Sequence, residues 1–176
     1  MSGEADEFST MPIWRTVTIG MYPSTAHYLH MLSGKRLSYV FFKEGYVLEK
    51  EQRKALQQIP VSPERAELDL VAIPLPFFRF NKNLPHFTDL CERAIAGGLE
   101  LAPPEVGAAL RSQYLNQARG EWIDIPMQGV PRIGHTAYAQ LYRSVEDSLC
   151  VIYTWIHPEG ILSDQGLYVF VRPRRA

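Results

Sequence analysis

The sequence predicts a single α+β domain with a helix-rich N-terminal half and an antiparallel sheet built mainly from the C-terminal half. The chain has 176 residues, the size of one ordinary domain, and a hydrophobic fraction of 46% supplies a full core. Helical patterns dominate up to residue 120, and alternating strand patterns follow. The predicted boundaries are a disordered leader at residues 1–12, the domain at 13–173 and a short basic tail at 174–176.

The N-terminal third predicts one strand followed by short helices. Residues 14–20 alternate polar and β-branched positions, which is typical of a strand. Ser24 as a candidate N-cap predicts a short helix up to Gly34. Residues 37–42 are ambiguous, because their aromatic content favours a strand whereas a flanking cap and glycine favour a helical turn, which we prefer. Residues 49–59 consist of good helix formers and end at a proline, so we expect a helix there.

The remaining chain predicts a central strand, a loop, two helices and four strands. Residues 67–73 become continuously apolar, as in a buried strand, and residues 74–83 predict a loop whose aromatic rings pack onto the core. Helices are expected over residues 85–97 and 103–114, where prolines stand at the start. Further strands are predicted at residues 121–127, 137–145, 149–156 and 167–171, with a hairpin turn at Glu146 and Asp147.

The charge balance and the cysteine content indicate which partners and which cellular compartment to expect. The 18 basic and 19 acidic residues leave a formal net charge of -1, so nucleic acid is disfavoured as a partner, and the terminal arginines from Arg172 onward predict a solvated tail. The polar first ten residues do not resemble a signal peptide, and no apolar run is long enough for a membrane span. We therefore expect a cytoplasmic protein without a membrane partner, with Cys91 and Cys150 as small buried hydrophobic residues.

The densest group of side chains with functional groups that can bind a ligand lies between residues 105 and 124. The candidate ligand-binding residues are Glu105, Arg111, Tyr114, Trp122 and Asp124. A carboxylate, a guanidinium and a phenol on one helix can hold a polar ligand. The favoured alternative is structural, with Arg111 paired to Glu121 or Asp124 and Tyr114 in the core.

His157 is the candidate catalytic residue, since it follows an apolar strand and an imidazole can act as a general base near neutral pH. Arg111 and Glu105 are its candidate partners. Ser163 and Asp164 lie nearby, but the chain lacks a G-x-S-x-G elbow, so we do not infer a catalytic triad. An ordinary loop explains His157 equally well.

Two further patterns have simpler structural explanations. His27 and His30 form an H-x-x-H pair without further ligands at recognised spacing, so we predict no metal, and the chain has no glycine-rich phosphate motif, so we predict no nucleotide cofactor. Phe77, Arg79 and Lys82 mark a stretch of aromatic and basic residues that can stack on single-stranded nucleic acid or fill a partner's groove. Core packing of its phenylalanines is the favoured interpretation.

Four motifs resemble those of a group of small uncharacterised bacterial proteins. They are WRTVTIG at residues 14–20, LELAPPEVGAALRSQY at 99–114, GEW at 120–122 and FVRP at 170–173. The resemblance implies a bacterial source and no activity. Ala102 stands where relatives often carry cysteine, and residues 37–66 depart most from the pattern.

Three functional hypotheses follow. The first is a non-enzymatic module that binds a protein or a small ligand through residues 77–82 or 105–122. The second is a small hydrolase or transferase with His157 as general base and Arg111 as anion stabiliser. The third is a nucleic-acid accessory protein that uses Arg79, Lys82 and the basic tail.

Overall fold

A computed structural model describes residues 7–24, 27–28, 59–81, 85–129, 136–143, 149–162 and 166–174. The elements in chain order are strand β1 (Arg15–Ile19), strand β2 (Ala66–Pro74), a 3-10 helix (Leu75–Phe78), helix α1 (Phe87–Ala96), helix α2 (Val106–Gln113), strand β3 (Trp122–Pro126), strand β4 (Thr136–Arg143), strand β5 (Leu149–Ile156) and strand β6 (Leu167–Arg172).

The six strands form one mixed sheet in the order β1-β2-β6-β3-β4-β5. Neighbouring strands run antiparallel except β3 and β6, which are parallel, with Asp124 opposite Tyr168. The last strand of the chain therefore lies in the middle of the sheet. It joins the two N-terminal strands to the meander of β3, β4 and β5.

The structure contradicts the predicted fold class, a helix-rich N-terminal half with an antiparallel C-terminal sheet. In the described part of the N-terminal half, β1 and β2 form one side of a mixed sheet. The two α-helices found among the described residues are short and lie between residues 87 and 113. The prediction was wrong because periodicity reports the preference of each segment, whereas the pairing of β6 with β2 joins segments far apart in the chain.

Several predicted elements lie outside the described residues. They include most of the helix predicted from Ser24 to Gly34, the turn at 37–42, nearly all of the helix at 49–59 and the hairpin turn at 146–147. The start of the first of these is described. The backbone N–H groups of His27 and Tyr28 donate to the Ser24 carbonyl at 3.0 and 3.4 Å, so a helical turn begins at the predicted cap.

Hydrophobic side chains cover both faces of the sheet. On one face α2 packs against β1, β4 and β5. This α2 face contains, among others, Val17, Leu70, Leu110, Ile123, Leu141 and Val171. The opposite face, which we call the α1 face, contains Val71, Ile73, Phe78, Leu90, Ala94 and Phe170. Successive side chains along β2 and β6 point to opposite faces, as the pleat of a strand requires.

Part of the predicted leader packs on the α1 face. Phe8 is 2% exposed, its ring centroid lies 5.1 Å from that of Phe78, and its N–H donates to the Gly97 carbonyl at 3.0 Å. A Cβ on Gly97 would lie 2.2 Å from the Phe8 ring, so glycine is needed for this contact. Phe8 therefore belongs to the packed structure, although the sequence analysis places it in the leader.

The segment after β2 forms the 3-10 helix and then turns at Arg79, whose φ of 51° is left-handed. Phe78 is buried and Phe80 packs against the same core, as predicted for the aromatic rings of this stretch. Phe77 differs, since it is 58% exposed. Lys82 lies outside the described residues.

Both cysteines are buried thiols, which confirms their predicted character as small hydrophobic residues. Burial raises the pKa of the Cys91 thiol to about 12. At neutral pH this thiol is protonated and unreactive.

Candidate functional site

The predicted site residues do not form one cleft. Glu105, Arg111 and Tyr114 belong to α2 or its ends, and α2 packs on the α2 face of the sheet. Trp122 and Asp124 alternate with Ile123 along β3 and therefore project from the opposite, α1 face.

Glu105 connects three segments of the chain. Its side chain is 1% exposed. One carboxylate oxygen accepts hydrogen bonds from the Gly20 N–H at 2.7 Å and the Tyr28 hydroxyl at 2.5 Å, and the other accepts from the Ser62 N–H at 2.7 Å. These bonds satisfy donors that burial would otherwise leave unpaired, so the carboxylate has a structural role.

Arg111 is completely buried. Its guanidinium donates to the side-chain carbonyl of Gln117 and to the backbone carbonyl of Tyr114, while Nε has no hydrogen-bond partner. Burial lowers the pKa of Arg111 to about 10. Neither Glu121 nor Asp124, its predicted partners, forms a salt bridge with it in the described part of the chain. The guanidinium is out of reach of a dissolved ligand.

Tyr114 lies in a cluster beside α2. Its hydroxyl donates to the Glu121 carboxylate at 2.7 Å, and the Arg15 guanidinium lies 3.6 Å from its ring centroid. The Trp14 ring meets it edge-on at 5.4 Å. Tyr114 is 5% exposed, so it stabilises this corner of the core.

His157 begins an exposed turn that ends at Gly160, whose N–H donates to the His157 carbonyl at 2.7 Å. Carbonyls of this turn accept the first backbone N–H groups of α1: Phe87 donates to Gly160 at 3.0 Å and Thr88 to Pro158 at 3.2 Å. The turn therefore caps α1. Ser163, Asp164 and His30 lie outside the described residues, and the described His27 bonds to the neighbouring Ser24 hydroxyl at 2.7 Å.

Two successive cross-strand pairs on the α1 face combine aromatic and polar chemistry. Trp122 is opposite Tyr142, and Asp124 is opposite Gln140. The Trp122 and Tyr142 rings stack at 4.6 Å between centroids with an interplanar angle of 8°. The Gln140 amide donates to the Asp124 carboxylate at 2.6 Å. We call these four residues the cross-strand site.

The solvent exposure of the side chains decreases from one end of the cross-strand site to the other. Trp122 is 43% exposed, whereas Asp124 is only 5% exposed. Further along the same face, the Phe87 ring at the start of α1 packs on Tyr138 with 5.5 Å between centroids. Helix α1 therefore borders the site at one end, and Trp122 presents ring surface to solvent at the other.

Burial raises the pKa of the Asp124 carboxyl to about 6, and the bond from Gln140 opposes part of that rise. Burial, helped by the charge of Asp124, also raises the pKa of Tyr138 to about 12. The Asp124 carboxylate is thus poorly solvated. It is nevertheless charged at pH 7 in most molecules.

Gln140 and Tyr142, half of this site, are not among the residues predicted from the sequence. A signal was present, because β3 reads W-x-D and β4 reads Q-x-Y with apolar residues between. Only the antiparallel register, which the sequence does not state, shows that these four positions share one face.

A separate depression of about 460 Å³ lies beside the end of β6 and is lined by Ser9, Asp69, Arg172, Pro173 and Arg174. Both arginines are occupied by the chain itself. Arg172 donates to the Met11 carbonyl at 2.9 Å, and Arg174 binds both carboxylate oxygens of Asp69 at 3.1 Å. Their charges are therefore less available to an anionic ligand than the composition of the tail suggests.

No protein-family model, curated protein or solved structure matches the chain. The resemblance to small bacterial proteins therefore stays a prediction. Within the described ranges, no helix has the length and apolar character needed to cross a membrane. The same ranges contain no group of three His, Cys, Asp or Glu side chains that could hold a metal ion.

Proposed function

We propose that this protein is a non-enzymatic binding module that holds a small ligand at the cross-strand site. The observation that carries the proposal is the state of Trp122, whose ring is held by stacking and yet 43% exposed. Large aromatic side chains that remain exposed are the residues most often used for recognition.

Preorganisation supports binding at this ring. The Tyr142 ring lies nearly parallel to that of Trp122, and both belong to paired strands rather than to a loop. A side chain fixed in this way loses little conformational freedom when a ligand stacks on it, so more of the contact energy becomes affinity.

The neighbouring pair supplies polarity. Ligand sites typically combine apolar surface with a few polar groups that fix orientation. Asp124 and Gln140 are such groups, one cross-strand pair away from the aromatic rings. The aromatic rings therefore supply contact area for affinity, and the polar pair can fix the orientation of the ligand.

No observation favours the hydrolase or transferase hypothesis. Arg111, its anion stabiliser, is fully buried beside α2, and His157, its general base, lies in the turn that caps α1. The nucleic-acid hypothesis also lacks support, since Arg174 is paired with Asp69. We include a cytoplasmic location in the proposal, and the two buried thiols agree with it.

The test is a thermal-shift screen of a fragment library against the wild-type protein and two variants. A ligand that binds only the folded state raises Tm by mass action. We expect stabilising fragments for the wild type, their loss in Trp122→Ala, and their retention in Phe77→Ala, which removes a ring of similar exposure elsewhere. Fragments that stabilise Trp122→Ala equally, or a screen without any stabilising fragment, would contradict the proposal.

A further inference from the structure

We infer that the ligand of the cross-strand site is a small planar organic cation, an amidinium or guanidinium compound, that stacks on Trp122 and donates hydrogen bonds to Asp124. This inference rests on the proposed function and specifies its ligand class.

The carboxylate of Asp124 is not neutralised by a cation of the described residues. Its carboxylate is 5% exposed and receives a hydrogen bond from the neutral Gln140 amide. No lysine or arginine among the described residues forms a salt bridge with it. A buried carboxylate without a cation is costly, because the protein interior solvates charge poorly. A cationic ligand would supply the missing countercharge.

The exposed ring of Trp122 also favours a cationic ligand. The face of an indole attracts cations more strongly than those of the other aromatic side chains. Trp122 and Asp124 therefore both attract a positively charged ligand. A neutral ligand would gain the stacking contact without the electrostatic one.

The spacing of the two positions suits such a ligand. The Cα atoms of residues two apart on one face of a strand are separated by about 7 Å. An arylamidinium reaches about 4 Å from its ring centre to its nitrogens and a hydrogen bond adds about 2.9 Å, so a ring stacked on Trp122 has the reach to place its nitrogens near Asp124.

The limited access to Asp124 restricts the shape of the ligand. With 5% of its surface exposed, Asp124 admits only a slender group. The flat edge of an amidinium is slender and can present two N–H donors to one carboxylate, a bidentate and charge-assisted geometry. A bulky quaternary ammonium group has no N–H to donate.

A glycine lies beside this carboxylate. A Cβ at Gly166 would lie 2.7 Å from Asp124 Oδ2. The absence of that methyl group leaves the carboxylate in its present position beside Trp122. The site is therefore built from β3, β4 and the residue that precedes β6.

Benzamidinium and its neutral isostere benzamide test the inference. Their binding to the full-length protein would be measured by isothermal titration calorimetry at pH 8, where both Asp124 and the probe are charged. We expect wild type to bind benzamidinium at least about tenfold more tightly than benzamide, the size of one charge-assisted contact. Asp124→Asn should reduce that ratio to about one.

Trp122→Ala serves as the second variant, because it separates the two claims. If benzamide binds wild type as tightly as benzamidinium does and Trp122→Ala weakens both, the cation inference is wrong and the proposed function stands. If Asp124→Asn preserves the preference for benzamidinium, or if wild type binds neither probe, the inference is also overturned. The fragment screen then decides the proposed function independently.

Discussion

The carboxylate of Asp124 packs against the backbone of Gly166, so closely that a Cβ at Gly166 would lie 2.7 Å from Oδ2. This contact joins β3 to the start of β6, its parallel neighbour. It also favours glycine on steric grounds, because a Cβ at this position would press on a carboxylate that the Gln140 amide holds in place.

Gly166→Ala should therefore destabilise the protein by about 1–3 kcal/mol, the usual cost of an overpacked contact. Urea denaturation measures the loss. In an Asp124→Ala background the clashing oxygen is absent, so the same glycine substitution should cost much less. An equal cost in both backgrounds would show that Asp124 is not what excludes a side chain from Gly166.

Asp124 should destabilise the ligand-free protein at neutral pH. Its pKa rises from 3.8 to about 6 on folding, so the folded state binds the proton more tightly than the unfolded state does. The free energy of unfolding should fall as pH rises from about 4 to 6, by about 3 kcal/mol, and then stay level.

Asp124→Asn tests this pH dependence, since the amide does not titrate. We expect the variant to be more stable than wild type at pH 8, with the difference shrinking toward pH 4, as followed by denaturant midpoints. A difference that does not change with pH would rule out a raised pKa. Greater stability of wild type at pH 8 would indicate that the chain itself neutralises the carboxylate.

Glu105→Ala should reduce stability by about 3 kcal/mol or more, because it leaves the buried Tyr28 hydroxyl and the half-buried N–H groups of Gly20 and Ser62 without their acceptor. Equilibrium unfolding in urea measures the effect. Glu92→Ala, which removes an exposed carboxylate from α1, should change stability by less than about 0.5 kcal/mol. Similar losses for the two variants would mean that the Glu105 contacts are not stabilising.

Leu110→Ala and Trp122→Ala should separate core from surface. Leu110 is 1% exposed, so its truncation should cost about 2–5 kcal/mol. Trp122→Ala removes mainly the stacking contact with Tyr142, so it should lower the free energy of unfolding by about 1 kcal/mol. Calorimetry of both variants measures the contrast. Equal losses would place Trp122 in the core and remove the surface on which the proposal depends.

Local patterns predicted the strands around Val17, Leu70 and Ile123 well, since alternation and continuous apolar runs are properties of single segments. They did not predict that β6 enters the sheet between β2 and β3. That arrangement depends on packing between distant segments. Because β6 pairs in parallel with β3, the sheet is mixed and not antiparallel as predicted.

The site residues illustrate the same limit. Glu105 and Arg111 have reactive groups and close spacing, yet both are buried against partners from this chain. Trp122 and Asp124 were predicted as ligand-binding residues from their side chains, but Tyr142 was not, because strand register determines its position. Reactivity can be inferred from residue type, whereas accessibility and pairing require the fold.

The most direct test of the binding proposal is to identify which tryptophan contacts a ligand. The chain has 3 tryptophans, so a ¹⁵N-labelled sample gives three indole N–H signals, and the Trp122→Ala spectrum assigns one of them. On titration with the fragments that raise Tm, we expect the Trp122 signal to shift most, in a saturable manner. A saturable shift confined to the other two indoles, with Trp122 unchanged, would contradict the proposal.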